Sequence, residues 1–117
     1  MWIASKYGFF SIVMKGPDEF HVRARFRGDL EELMEACGVD ETLHKSYNSD
    51  YRYRLVVGRP VVTKIGARIF EEIDYDNFKE KISNTPSQEE KLSAYGDIWA
   101  IMFMLQGRDD PDLGTED

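Results

Sequence analysis

Cysteine is almost missing from this sequence. Its single thiol, Cys37, excludes any intrachain disulfide and is compatible with a reducing compartment. Long apolar runs are missing too. The longest, Ile98 to Leu105, has eight residues, against roughly 20 for a membrane-spanning helix. No membrane contact is therefore expected. The N-terminus has no basic stretch leading into an apolar run and a small-residue cleavage site, so no secretory leader is expected and the cytoplasm is the expected location. Histidine is scarce. His21 and His44 share no ligand spacing with each other or with Cys37, so no metal is expected. Neither phosphate-binding glycine loop occurs, and there is no G-x-S-x-G elbow. No cofactor is expected and no catalytic residue can be nominated.

What is present fits one globular domain. The chain has 117 residues, 42% hydrophobic and 13% aromatic, enough for a single core. Its net charge of −7 disfavours non-specific nucleic-acid binding. The charge is unevenly spread. Residues 1–28 carry five basic and two acidic side chains, and residues 50–68 carry five basic and one acidic. Two basic strips thus interrupt an acidic body.

The first element expected is a strand from Trp2 to Lys15, with Gly8 as a bulge or bend. Gly16-Pro17-Asp18-Glu19 is turn chemistry. Phe20 to Arg27 then alternates: Phe20, Val22, Ala24 and Phe26 on one side, His21, Arg23, Arg25 and Arg27 on the other. Asp29 reads as an N-cap, with Glu32 completing a capping box. Leu30, Leu33, Met34 and Cys37 form a helical stripe that Gly38 should stop.

Residues 39–49 read as loop with a helical turn near Glu41 to His44. Asp50 to Val57 is the third expected strand, placing Tyr51, Tyr53, Leu55 and Val57 on one face and Arg52 and Arg54 on the other. Pro60 opens a helix with Ile65, Ile69, Phe70 and Ile73 on one side. A short helix to Ile82 follows. Thr85-Pro86-Ser87-Gln88 then caps a last helix ending near Leu105.

The order β-β-α-β-α-α predicts an α+β fold: a three-stranded, mostly antiparallel sheet with helices packed on one face. One domain over residues 1–106 and a frayed acidic tail over 107–117 complete the expectation.

Met1-Trp2-Ile3, Gly8-Phe9-Phe10-Ser11-Ile12-Val13, Val22 to Leu30, Asp50 to Arg54 and Ile73 to Lys79 together resemble a family of small uncharacterised bacterial and phage proteins. The resemblance spans about residues 1 to 105 and leaves out the acidic tail. It implies a prokaryotic or phage source. It brings no activity, substrate or site residue.

Two features have functional content. Arg23, Arg25, Arg27, Arg52 and Arg54 could gather on one sheet face, where planar guanidiniums suit phosphate or carboxylate and nearby aromatics suit single-strand stacking. The plain reading is a solvated face. Trp99 with Met102, Phe103 and Met104 could form a partner surface or a homodimer contact, the plain reading being core. Cys37 reads as a small core residue. The acids Glu71, Glu72, Asp74 and Asp76 lack the glycine and terminal glutamate of a calcium loop, so a solvated helix end is expected. The favoured functional expectation is a non-catalytic binding protein with a protein partner. An anion or single-strand binder and an enzyme with an unrecognised site are the alternatives.

Overall fold

The computed structural model describes residues 1–110. They form two compact units, Met1–Asp74 and Tyr75 onward. The expected tail falls mostly on residues 111–117, which lie outside the described residues. Its first three residues, 107–109, are helical.

The first unit holds β1 (Trp2–Ser5), β2 (Gly8–Gly16), β3 (Glu19–Ala24), α1 (Arg27–Cys37), β4 (His44–Lys45), β5 (Tyr53–Val57) and α2 (Arg59–Glu71). The α+β class and the antiparallel sheet are as expected, but the sheet has five strands, not three. Their order is β1-β2-β3-β5-β4, every pair antiparallel.

The two additional strands have separate origins. The stretch from Trp2 to Lys15 is a hairpin and not one strand. Ser5 Oγ donates to the Gly8 carbonyl at 3.2 Å and accepts from the Tyr7 N–H at 3.1 Å, closing a turn at Lys6-Tyr7. Gly8 has φ +147°, a region that L side chains avoid. A Cβ there would also collide with the carboxyl of Asp29. β4 replaces the helical turn expected near His44. It pairs with β5 for only two residues, too short to leave a periodic trace.

α1 begins at Arg27 with Phe26 as its N-cap and no side-chain cap bond. Asp29, expected as the cap, is instead buried in the first turn, its carboxyl set against Gly8. Phe26 leaves the alternating face of β3 and is 46% exposed. Gly38 ends α1 as expected, at φ +63°, with its N–H on the Glu35 carbonyl. Pro60 sits in the first turn of α2. The Asp18 carboxylate, from the β2–β3 turn, accepts the Arg59 N–H at 2.6 Å and so occupies the positive end of α2.

The core lies between the inner sheet face and these two helices. Phe10, Phe20, Val22, Ala24, Leu55 and Val57 meet Leu30, Leu33 and Cys37 of α1 and Ile65 and Ile69 of α2. Each large side chain so buried contributes about 1.5–3 kcal/mol. Phe70 and Ile73, expected beside Ile69, are exposed.

The second unit contains α3 (Phe78–Ser83), a 3-10 turn (Glu89–Lys91) and α4 (Leu92–Asp109). Asn77 caps α3, its Oδ1 accepting the Glu80 N–H at 3.0 Å. Phe78 meets Tyr95 of α4 edge-on, ring centroids 5.1 Å apart. The Thr85 signature does not open α4. Its hydroxyl donates back to the Lys81 carbonyl at 2.6 Å and its own carbonyl accepts the Gln88 N–H at 2.8 Å. Thr85 thus closes α3 and holds the turn that leads into the 3-10 segment, and α4 begins at Leu92 and runs past Leu105.

Candidate functional site

β3 and β5 are neighbours, and Arg23 stands directly opposite Arg54. Opposed residues of antiparallel strands share a face. The register extends this pair into a row across the sheet: Trp2, Ser11, Arg23, Arg54, His44. The row lies on the side away from the core residues Phe10, Val22 and Leu55.

Neutral groups hold both guanidiniums. Arg23 Nη2 donates to Ser11 Oγ at 2.6 Å. Arg54 Nη2 donates to Ser49 Oγ at 2.8 Å, and its Nη1 lies 3.1 Å from His21 Nδ1. His21 Nδ1 must accept there, which puts the ring hydrogen on Nε2, 2.9 Å from a carboxylate oxygen of Glu19. Tyr51 supplies a buried aromatic face, its ring centroid 4.8 Å from the Arg23 guanidinium carbon and 4.3 Å from that of Arg25. Tyr51 was expected on the core side. It precedes β5, which starts at Tyr53, so the strand alternation does not reach it.

The structure therefore gathers three of the five expected arginines, Arg23, Arg54 and Arg25. Arg27 is the first residue of α1, ion-paired to Glu31 at 3.5 Å. Arg52 lies outside β5, exposed, 5.9 Å from the Tyr47 ring. Among the described residues no carboxylate lies within ion-pair distance of Arg23, Arg25 or Arg54. Arg23 Nε and Arg54 Nε are buried and donate to no partner among the described residues. Two guanidiniums opposed across a strand pair repel, so the pair is held by its hydroxyl, imidazole and phenol contacts.

The acids near Asp74 belong to a structural ion cluster. Glu72 takes Lys6 at 3.0 Å and Arg68 at 2.9 Å. The hydrogen bonds from Lys6 and Tyr7 hold its carboxyl below the usual range. Cys37 is buried as expected, and burial pushes its thiol up, away from the reactive thiolate.

α4 presents a different surface. Every residue from Ile98 to Leu105 is exposed. The helix has two apolar stripes. One continues from buried Tyr95 through Trp99, Met102 and Phe103, with Trp99 and Phe103 stacked at 5.3 Å and the Lys79 ammonium 4.8 Å from the Trp99 ring. A shallow groove of about 510 Å³ runs along it, lined by Trp99, Met102, Phe103, Leu105 and Gln106. The other stripe is Ile98, Ile101, Met104 and Leu105. The candidate surface residues Trp99, Met102, Phe103 and Met104 are thus exposed and not core, while Ile98, Ile101 and Leu105 of the second stripe were missed. The signal of that stripe was the i, i+3, i+6, i+7 spacing of its four residues, which keeps them on one side of a helix.

Comparison with known proteins finds no matching family model, no matching curated protein and no matching solved structure.

Proposed function

We propose that this protein is a non-catalytic interaction protein that works through contacts with protein partners, with α4 as its contact surface. The observation that carries this reading is the run Ile98–Leu105, eight apolar residues with none buried. Exposed apolar surface loses about 25 cal/mol per Å² relative to burial, and patches of this kind are rare on monomers without an interaction role. Methionine and aromatic side chains suit such a contact because they adapt and carry large area. The polar clusters support the same reading, since Lys6, Arg68, Glu72 and Asp74 neutralise one another. A bacterial regulator or a phage-encoded inhibitor of the cytoplasm is the setting that accompanies it. The test is affinity capture with the intact chain and with a Trp99→Ser, Met102→Ser, Phe103→Ser variant. A defined protein retained only by the parent, with both chains equally helical by circular dichroism, is the expected result. Equal capture by both would overturn the reading.

A second reading is favoured by the acid-free pair Arg23 and Arg54: an anion or single-stranded nucleic acid held on the outer sheet face. Here pyrophosphate or an oligonucleotide should bind the parent, weaken with added salt and fail to bind Arg54→Gln.

A further inference from the structure

The partner of α4 is legible in its own charges. No ionic side chain occurs between Asp97 and Arg108. Both are exposed, and among the described residues neither makes an ion pair. They are separated by just over three helical turns of about 3.6 residues, which returns them to one face, roughly 16 Å apart along the axis. The stripe of Ile98, Ile101, Met104 and Leu105 lies between them on that same face. An apolar stripe closed by an acid at one end and a base at the other is complementary to itself run backwards.

We infer that α4 pairs antiparallel with α4 of a second copy of this chain, through that stripe. This rests on α4 being the contact surface and names what covers it. A two-fold axis between Met102 and Phe103 sets Asp97 level with the second copy's Arg108, at both ends of the seam. The same axis sets Ile101 level with Met104 near the centre of the seam, and Leu105 with Ala100 and Ile98 with Gly107 further out, where a large side chain is level with a small one. A parallel pair would instead set Asp97 against Asp97 and Arg108 against Arg108. The contact is isologous, as a two-fold dimer requires. One helix pair is small beside a standard interface of about 1,600 Å², so association should be reversible and concentration-dependent.

The test is sedimentation equilibrium of the full chain at rising micromolar concentration. The expected limit is twice the 13.6 kDa chain mass. Asp97→Arg and Arg108→Asp each turn two end attractions into repulsions, and each alone should weaken self-association about tenfold. The double variant restores opposite charges at both ends and should recover the parent affinity. The two single variants mixed should form heterodimers more tightly than either forms homodimers. Single variants that associate like the parent, or a double variant that stays weak, would overturn the antiparallel register. A strictly monomeric parent would overturn self-pairing and return α4 to a different protein, which the capture experiment above detects separately.

Discussion

Two glycines should respond in opposite directions to the same substitution. Gly8 has φ +147° and its missing Cβ would occupy the space of the buried Asp29 carboxyl. Gly8→Ala therefore combines backbone strain of about 1–3 kcal/mol with overpacking of about 1–3 kcal/mol. The sum, about 2–6 kcal/mol, is a large share of the roughly 5–15 kcal/mol that holds a domain folded. Gly66 sits inside α2, and a Cβ there meets nothing within 4 Å. Gly66→Ala should stabilise by about 0.5–1 kcal/mol, because glycine loses more freedom in a helix than alanine. Urea unfolding followed by circular dichroism separates them. With a slope of about 1–3 kcal/mol per molar, the Gly8→Ala midpoint should fall by about 0.7 M or more while the Gly66→Ala midpoint rises slightly. A Gly8→Ala midpoint equal to that of the parent would refute the account of the β1–β2 turn and of why Asp29 is buried.

Asp18→Ala removes the carboxylate that accepts the Arg59 N–H at the start of α2. It should lower stability by about 1 kcal/mol, read by the same urea titration, and Asp18→Asn should recover part of the loss. The Lys6 cluster should give stability a dependence on pH at both extremes. Glu72 is held below 4.5 by hydrogen bonds from Lys6 and Tyr7. Its contribution is present above that value and is lost as pH falls through the lowered one. For Lys6, burial pulls downward, but the hydrogen bond to Glu72 and the charges of Asp74 and Glu72 outweigh it and leave it above 10.5. Its contribution is present below 10.5 and is lost as pH rises through the raised value. Urea midpoints measured across pH should fall at both ends for the parent, and both falls should flatten in Lys6→Met.

Much of the core was readable because period and punctuation agreed. The alternation of Phe20, Val22 and Ala24 gave the inner face of β3, and the stop at Gly38 and the start at Pro60 bounded the two helices of the first unit. The errors fall where a pattern outran its element. Arg27 and Phe26 continue the alternation of β3 in sequence, but the chain has already turned into α1. Tyr51 continues the alternation of β5 backwards past the strand's first residue. Thr85 has the chemistry of a cap, and its hydroxyl serves the helix before it instead of the one after. The pairing of Arg23 with Arg54 joins segments far apart in the chain, and a pattern within either strand carries no register between them.

The sheet order bears on how the molecule is assembled in time. β1, β2 and β3 are joined by tight turns and can zip from neighbouring residues. β5 must return across α1 and the loop after it to reach β3, where Phe20 meets Val57. That closure loses more chain entropy and belongs late in folding. The row of Arg23 and Arg54 does not exist before it. Either strand alone shows one arginine to the solvent, and a ligand that needs both would recognise only the finished sheet.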